Sequence, residues 1–344
     1  MIILFFLVFL VTLLSVLLIR PIAIRFGLVD TPTLRKSHFG NIPLVGGIAM
    51  FIGVSSGFLF FFEFNNLSNY YAFFLSAFIL VILGTVDDFH DISFALRFLL
   101  QITAAFILIS IGNTGLLNLG DILSFGEIGL GGFSLLFSII AIVAVVNSLN
   151  FSDGIDGLAA STSLVTFSSI AFFAYIAQNV NGLSIAIIFV ASILAFLIFN
   201  IGNIAIKRLK IFMGDSGSMF LGLSIAWLLV SLSQGEDRAF SPVAALWIYS
   251  IPLMDSFSIL VRRLSVGQSP FLPDRKHLHH LFLTIGYSDK QALMIIIIFS
   301  LLMASVGIIM ELKGIAEFYM FIYFIIIAII YSFITIFVWR AIKN

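Results

Sequence analysis

Apolar runs long enough to cross a bilayer alternate with short polar stretches along the whole of this 344-residue chain. Wound as an α-helix, a run of about 20 residues matches the hydrocarbon thickness of a membrane. The pattern predicts eleven spans, at about residues 1–20, 42–62, 70–86, 95–112, 132–148, 157–177, 184–203, 215–233, 241–258, 291–311 and 319–339. The pattern argues against a membrane β-barrel, whose strands alternate apolar with polar and are only about ten residues long. Residues 113–131, NTGLLNLGDILSFGEIGLG, are Gly-rich and aperiodic, and they predict a small surface hairpin. The longest polar loop falls at about 259–290. The fold class expected is an all-α polytopic membrane protein, with one integral domain over 1–344.

Composition agrees with the pattern. Hydrophobic residues make up 61% of the chain and charged ones 10%, where a soluble domain would carry about 25% charged residues. Cysteine is absent, which removes disulfides and thiol chemistry. Charge then orients the bundle. Alternate loops hold fifteen of the seventeen basic residues, and the opposite set holds only Arg238 and Lys313. By the positive-inside rule the N-terminus lies outside and the C-terminus in the cytoplasm. In the first run, Arg20 and Arg25 follow the apolar stretch instead of preceding it. That predicts a retained helix, not a cleaved signal peptide. All five histidines fall on the cytoplasmic side with ten acids, every one an aspartate, while the five glutamates fall outside. Short carboxylates confined to one face point to a site of fixed geometry.

Four stretches on that face carry candidate chemistry. In GTVDDFHD, a continuous helix would put Asp88 and Asp91 on one face, with Asp87 reaching it. Three carboxylates so close need a cation or a shared proton, and oxygen ligands suit Mg²⁺ or Mn²⁺. In NSLNFSDGIDGL, Asn147, Asn150, Asp153 and Asp156 recur every third residue, which predicts one stripe of a helix or 3₁₀ turn. In KIFMGDSGSMFLG, Asp215 and Ser216 open an apolar run, where free N–H groups and the helix dipole favour phosphate. A plain N-cap is the simpler alternative there. In SPFLPDRKHLHHLF, Arg275, Lys276, His277, His279 and His280 offer charge and hydrogen bonds to a diphosphate. Lys36 precedes the Gly46-Gly47 pair in a fifth, weaker stretch. Acids and amides for a metal, bases for phosphates and glycines at helix starts are the parts of phosphoryl transfer to a lipid acceptor. There is no Walker A sequence, and no nucleic-acid partner is expected.

Taken in order, LVDTPTLRKSHFGNIPLVGGIA, VDDFHDIS, NSLNFSDGIDGLAA, KIFMGDSGSMFLG and SPFLPDRKHLHHLF resemble the polyprenyl-phosphate N-acetylhexosamine-1-phosphate transferases over nearly the whole chain. PDR ahead of HLHH is similar to one branch of that family. The resemblance implies attack of undecaprenyl phosphate on the β-phosphorus of a UDP-N-acetylhexosamine, typically UDP-GlcNAc, with Mg²⁺ required. It implies a bacterial inner membrane, a site facing the cytoplasm and a plausible homodimer. Carried over by position, Asn150 and Asp215 match metal-coordinating residues. Asp87 and Asp88 match the pair that positions or deprotonates the lipid phosphate. Lys36, Asp153, Asp156, Arg275, His277, His279 and His280 match the donor site, and Asp91 and Asn147 are expected to face substrate with them. Because a phosphate monoester has its second pKa at about 6, positioning and charge neutralisation are expected to outweigh base catalysis.

Two other classes fit less well. A transporter places ionisable groups near span middles and often carries inverted repeats, whereas these acids sit at span ends. Membrane phosphotransferases acting on CDP-alcohols use D-x-x-D-G-x-x-A-R, and DGIDGLAAS lacks the arginine.

Overall fold

The computed structural model describes residues 1–31, 40–61, 68–201, 207–265, 267–268 and 276–343. In chain order the helices are α1 (Ile2–Phe26), α2 (Gly46–Phe61), α3 (Ser68–His90), α4 (Phe94–Ser110), α5 (Ser134–Ser152), α6 (Leu158–Ile176) and α7 (Val180–Asn200). There follow α8 (Gly214–Ser231), α9 (Pro242–Ile248), α10 (Ser250–Ser265), α11 (Leu278–Ile285), α12 (Asp289–Leu312) and α13 (Glu317–Lys343). Among the described residues, eight helices are long and apolar enough to cross a membrane, or nine if the bent pair α9 and α10 forms one span. The protein is therefore a multi-pass helical membrane protein. Each of the eleven expected spans overlaps a helix, but α2 and α4, at 16 and 17 residues, are shorter than the ~20 residues a bilayer asks for.

Helix α8 is the axis of the bundle, buried along almost its whole length and packed by α2, α3, α5 and α6. Its composition explains this. Lipid gives no hydrophobic drive for helices to associate, so close backbone contact between small residues holds them together. A Cβ on Gly47 of α2 would overlap the backbone of Gly217, and a Cβ on Gly84 of α3 would overlap the backbone of Ser216. On the third side, Gly222 lies against the backbone of Val146 in α5. A short antiparallel pair, β1 (Val29–Asp30) with β2 (Ile42–Pro43), leads into α2. The amides of Gly46 and Gly47 donate to the carbonyls of Phe212 and Met213, which sets the start of α2 beside the start of α8.

Two expectations change. The predicted span 241–258 is broken, with α9 and α10 meeting at 85°. The cause is Pro252, which cannot donate to the carbonyl of Ile248 four residues back. The Thr166 hydroxyl donates to that carbonyl instead, at 3.0 Å, and the Tyr249 hydroxyl donates to the carbonyl of Val145. A bent span survives in lipid only where neighbours satisfy the freed backbone. Thr166→Val is expected to lower stability by about 1 kcal/mol, read as a drop in thermal midpoint in detergent. The polar loop expected at 259–290 is partly helical, because α10 continues to Ser265 and α11 forms before Gly286, whose φ of +108° ends it. The stretch 113–131 does fold back on itself, with Asn118 bridged to Gly129.

Candidate active site

The motif residues gather at one end of the bundle, around the start of α8. The amide of Asp215 donates to Asp88 Oδ1 at 3.1 Å, which ties the end of α3 to the first turn of α8. From α5, Asn150 Nδ2 donates to Asp215 Oδ1 and to Ser218 Oγ, both at 2.8 Å. Asp87 is buried. Its Oδ1 accepts the amide of Ile92, and its Oδ2 faces Arg97 Nη1 at 3.1 Å. The same Arg97 nitrogen lies 3.9 Å from Asp215 Oδ2. Arg97 thus faces two carboxylates, Asp87 and Asp215, while Asp88 is held by the Asp215 backbone amide.

Asp91 does not join them. Helix α3 stops at His90, and Asp91 takes a left-handed φ of +46°, exposed beyond the helix end. The shared face expected for Asp88 and Asp91 needed a helix that the chain does not continue. The stripe 147–156 also divides. Asn147 and Asn150 lie on α5, but the helix ends at Ser152, so Asp153 and Asp156 belong to the turn before α6. Asn147 turns from the acids toward α4, donating to Gln101 Oε1 at 2.7 Å and to its own helix. Asp156 pairs with Lys210.

Asp153 is exposed in the turn before α6. Partial loss of water in the turn first, then the charges of Asp215 and Asp156, raise its carboxyl pKa. The remaining solvent softens the rise without reversing it. An Asp raised in the folded protein is penalised as pH climbs from the unfolded value, about 3.9, through the folded one, because the unfolded chain loses its proton first. Metal-free Asp153→Asn is accordingly expected to melt higher than the parent at pH 8 and level with it below pH 4 (melting curves across that range test it), while turnover falls.

The histidines form the other wall. His279 packs where a Cβ on Gly154 would stand, against the turn that carries Asp153. It is buried, and burial, then the neighbouring His280 and His277, hold its pKa down to about 2. It is therefore a neutral ring. The rings of His277 and His279 lie parallel, 5.9 Å apart, and His280 lies 4.2 Å from His279. Lys36 and Arg275 lie outside the described residues. Several partners in this region were not legible as site residues: Arg97 counted only as loop charge, and Asp255, buried on α10, bonds His277. The signal for Asp255 was available, since a carboxylate inside an apolar run calls for a partner.

The donor set can be tested against Mg²⁺ or Mn²⁺. Among the described residues, no three His, Cys, Asp or Glu side chains converge as a ready metal cage. Mg²⁺ does not need one, since it keeps waters and takes one or two carboxylates together with substrate phosphates. Asp88 Oδ2 is a buried oxygen with no hydrogen-bond partner, and it lies where a Cβ on Gly214 would stand. With Asp215 and Asn150 beside it, that oxygen fits a hard cation.

Residues 70–233, which include the acid cluster, match the model of glycosyl transferase family 4. Over 332 residues the chain is 40% identical to the undecaprenyl-phosphate alpha-N-acetylglucosaminyl 1-phosphate transferase of Pasteurella multocida (strain Pm70), an alignment covering 96% of this chain and 92% of that relative. The chain belongs to glycosyl transferase family 4. Relatives with the same printed name include those of Haemophilus influenzae, 37% identical over 97% of this chain and 94% of the relative, and of Escherichia coli (strain K12), 35% identical over 95% and 88%. The family 4 model ends before α10, whereas these full-length likenesses also take in the histidine wall.

Proposed function

We propose that the protein transfers N-acetylglucosamine 1-phosphate from UDP-N-acetylglucosamine to undecaprenyl phosphate, with UMP as the second product. One observation carries this reading. Asp88, Asn150 and Asp215 come from three helices and meet at the N-terminal end of α8, where the helix dipole favours phosphate. The likeness to transferases so named supports the choice of sugar and lipid.

Asp215, Asn150 and Asp88 would hold Mg²⁺, or Mn²⁺ in its place. The ion would supply neutralising charge for the donor diphosphate. Asp87 holds Arg97 beside Asp215, so a cation of the chain's own already stands where phosphate charge collects. The histidine wall and Lys210 would receive the rest of the donor. An oxygen of the lipid phosphate attacks the β-phosphorus, and the bond to the bridging oxygen breaks, so that oxygen leaves with UMP. The acceptor is already anionic at neutral pH, so the residues orient and neutralise more than they deprotonate.

The full topology reads as eleven spans, with α2 and α4 counted and α9 with α10 taken as one. The N-terminus is outside, and the site faces the cytoplasm at the bacterial inner membrane. The split of fifteen basic residues against two supports this orientation. A homodimer belongs to the same reading. A competition experiment tests the sugar: purified protein is given labelled UDP-N-acetylglucosamine with excess unlabelled UDP-N-acetyl sugars. Label in the lipid extract that only unlabelled UDP-N-acetylglucosamine suppresses is the expected result. Stronger suppression by another sugar would reassign the donor.

A further inference from the structure

The last helix reaches the site through a buried carboxylate that no motif contains. Asp255 of α10 is 6% exposed and accepts three hydrogen bonds. Its Oδ2 lies 2.8 Å from His277 Nδ1, and its Oδ1 accepts the Leu278 amide and the Tyr331 hydroxyl, both at 3.0 Å. Tyr331 is buried on α13. Two further groups on the same face, at four-residue spacing, tie down the same region. The Thr335 and Ser258 hydroxyls lie 2.9 Å apart, and Trp339 Nε1 donates to the carbonyl of Lys276 at 3.0 Å. A helix that otherwise turns apolar side chains outward thus keeps one polar stripe, aimed at the segment carrying the histidines.

A buried carboxylate is costly unless its lone pairs are used, and here three donors, two from the start of α11 and one from α13, use them. The Nδ1 contact also decides the histidine's chemistry. With Nδ1–H donated to a carboxylate, the ring is fixed in plane and tautomer, and only Nε2 is left for another partner. The ring is further held between His279 and Phe151, the residue after Asn150.

We propose that Asp255, itself oriented by Tyr331, is a positioning residue that fixes His277 for the donor diphosphate. This rests on the proposed function, in which His277 faces that diphosphate. Asp255 touches no substrate, and the third helix in the arrangement, α13, contributes to donor binding from outside the cleft.

A double-mutant cycle in detergent-purified full chain tests it. Asp255→Asn keeps the side-chain volume and an acceptor for Leu278 and Tyr331, but removes the charge facing His277. The expected result is a rise of about tenfold in donor KM, with the KM for undecaprenyl phosphate unchanged. In a His277→Ala background the same substitution adds nothing. Tyr331→Phe gives a smaller rise in donor KM alone, and it carries the test if Asp255→Asn does not fold. Normal donor KM in folded Asp255→Asn, or in Tyr331→Phe where that variant alone folds, overturns the proposal. So does a loss fully additive with His277→Ala. Parent protein that transfers sugar phosphate while these variants behave normally refutes only the positioning role. Parent protein that transfers none removes the proposed function, and the positioning role with it.

Discussion

Asp215→Asn is expected to lower transfer on the order of 10³-fold or more in a protein that still folds. The substitution keeps shape. The backbone amide at 215 can still donate to Asp88, and an amide oxygen can still accept from Asn150. What disappears is the negative charge at the first turn of α8, on a carboxylate whose two oxygens face Asn150 Nδ2 and Arg97 Nη1. A metal held there would lose its only anionic ligand on that helix. Initial rates of labelled lipid formation, beside a melting curve, check this. Turnover near the parent's in a folded variant would mean that the cluster is a structural cap on α8 and that the reacting groups lie elsewhere.

The second large effect involves a residue that touches no substrate. Gly84→Leu is expected to destabilise the protein by about 3 kcal/mol or more and to abolish transfer. A Cβ at 84 meets the backbone of Ser216 and Asp215, which cannot swing aside as a side chain would. Helices α3 and α8 must then part. Gly84 and Asp88 are one helical turn apart on the face that meets α8, so parting the helices also breaks the hydrogen bond from Asp215 to Asp88. Gly132→Ala is the control, because nothing lies within 4 Å of its Cβ position. Thermal midpoint and transfer rate should fall together for Gly84→Leu and hold for Gly132→Ala. A Gly84→Leu protein that melts and turns over normally would contradict the close-packed junction at the head of α8.

The long apolar runs and the motifs at their ends were legible because bilayer thickness and the scarcity of charge leave few alternatives. That Asp215, Asn150 and the Asp87-Asp88 pair would share one end of the bundle followed from the alternation of spans. Details set by local termination did not follow. Asp91 was placed on the Asp88 face because i,i+3 spacing presumes a helix, and α3 ends one residue before it. The triplet spacing from Asn147 to Asp156 likewise assumed one continuous turn, whereas α5 ends between its second and third members. Pro252 marked the bend in the ninth predicted span, but its meaning depends on Thr166, 86 positions earlier in the chain, which bonds the freed carbonyl. Arg97 and Asp255 were visible as charges. Their roles come from contacts across the bundle with Asp87, Asp215 and His277, and sequence spacing does not report those.

The most direct measurement is UMP release from UDP-N-acetylglucosamine by the detergent-purified protein, with undecaprenyl phosphate and Mg²⁺ each present or withheld. Release that requires both, with sugar label moving into the lipid extract, is the expected result. Folded protein that releases no UMP from this donor or from any other UDP-N-acetyl sugar would contradict the transferase reading of the acid cluster.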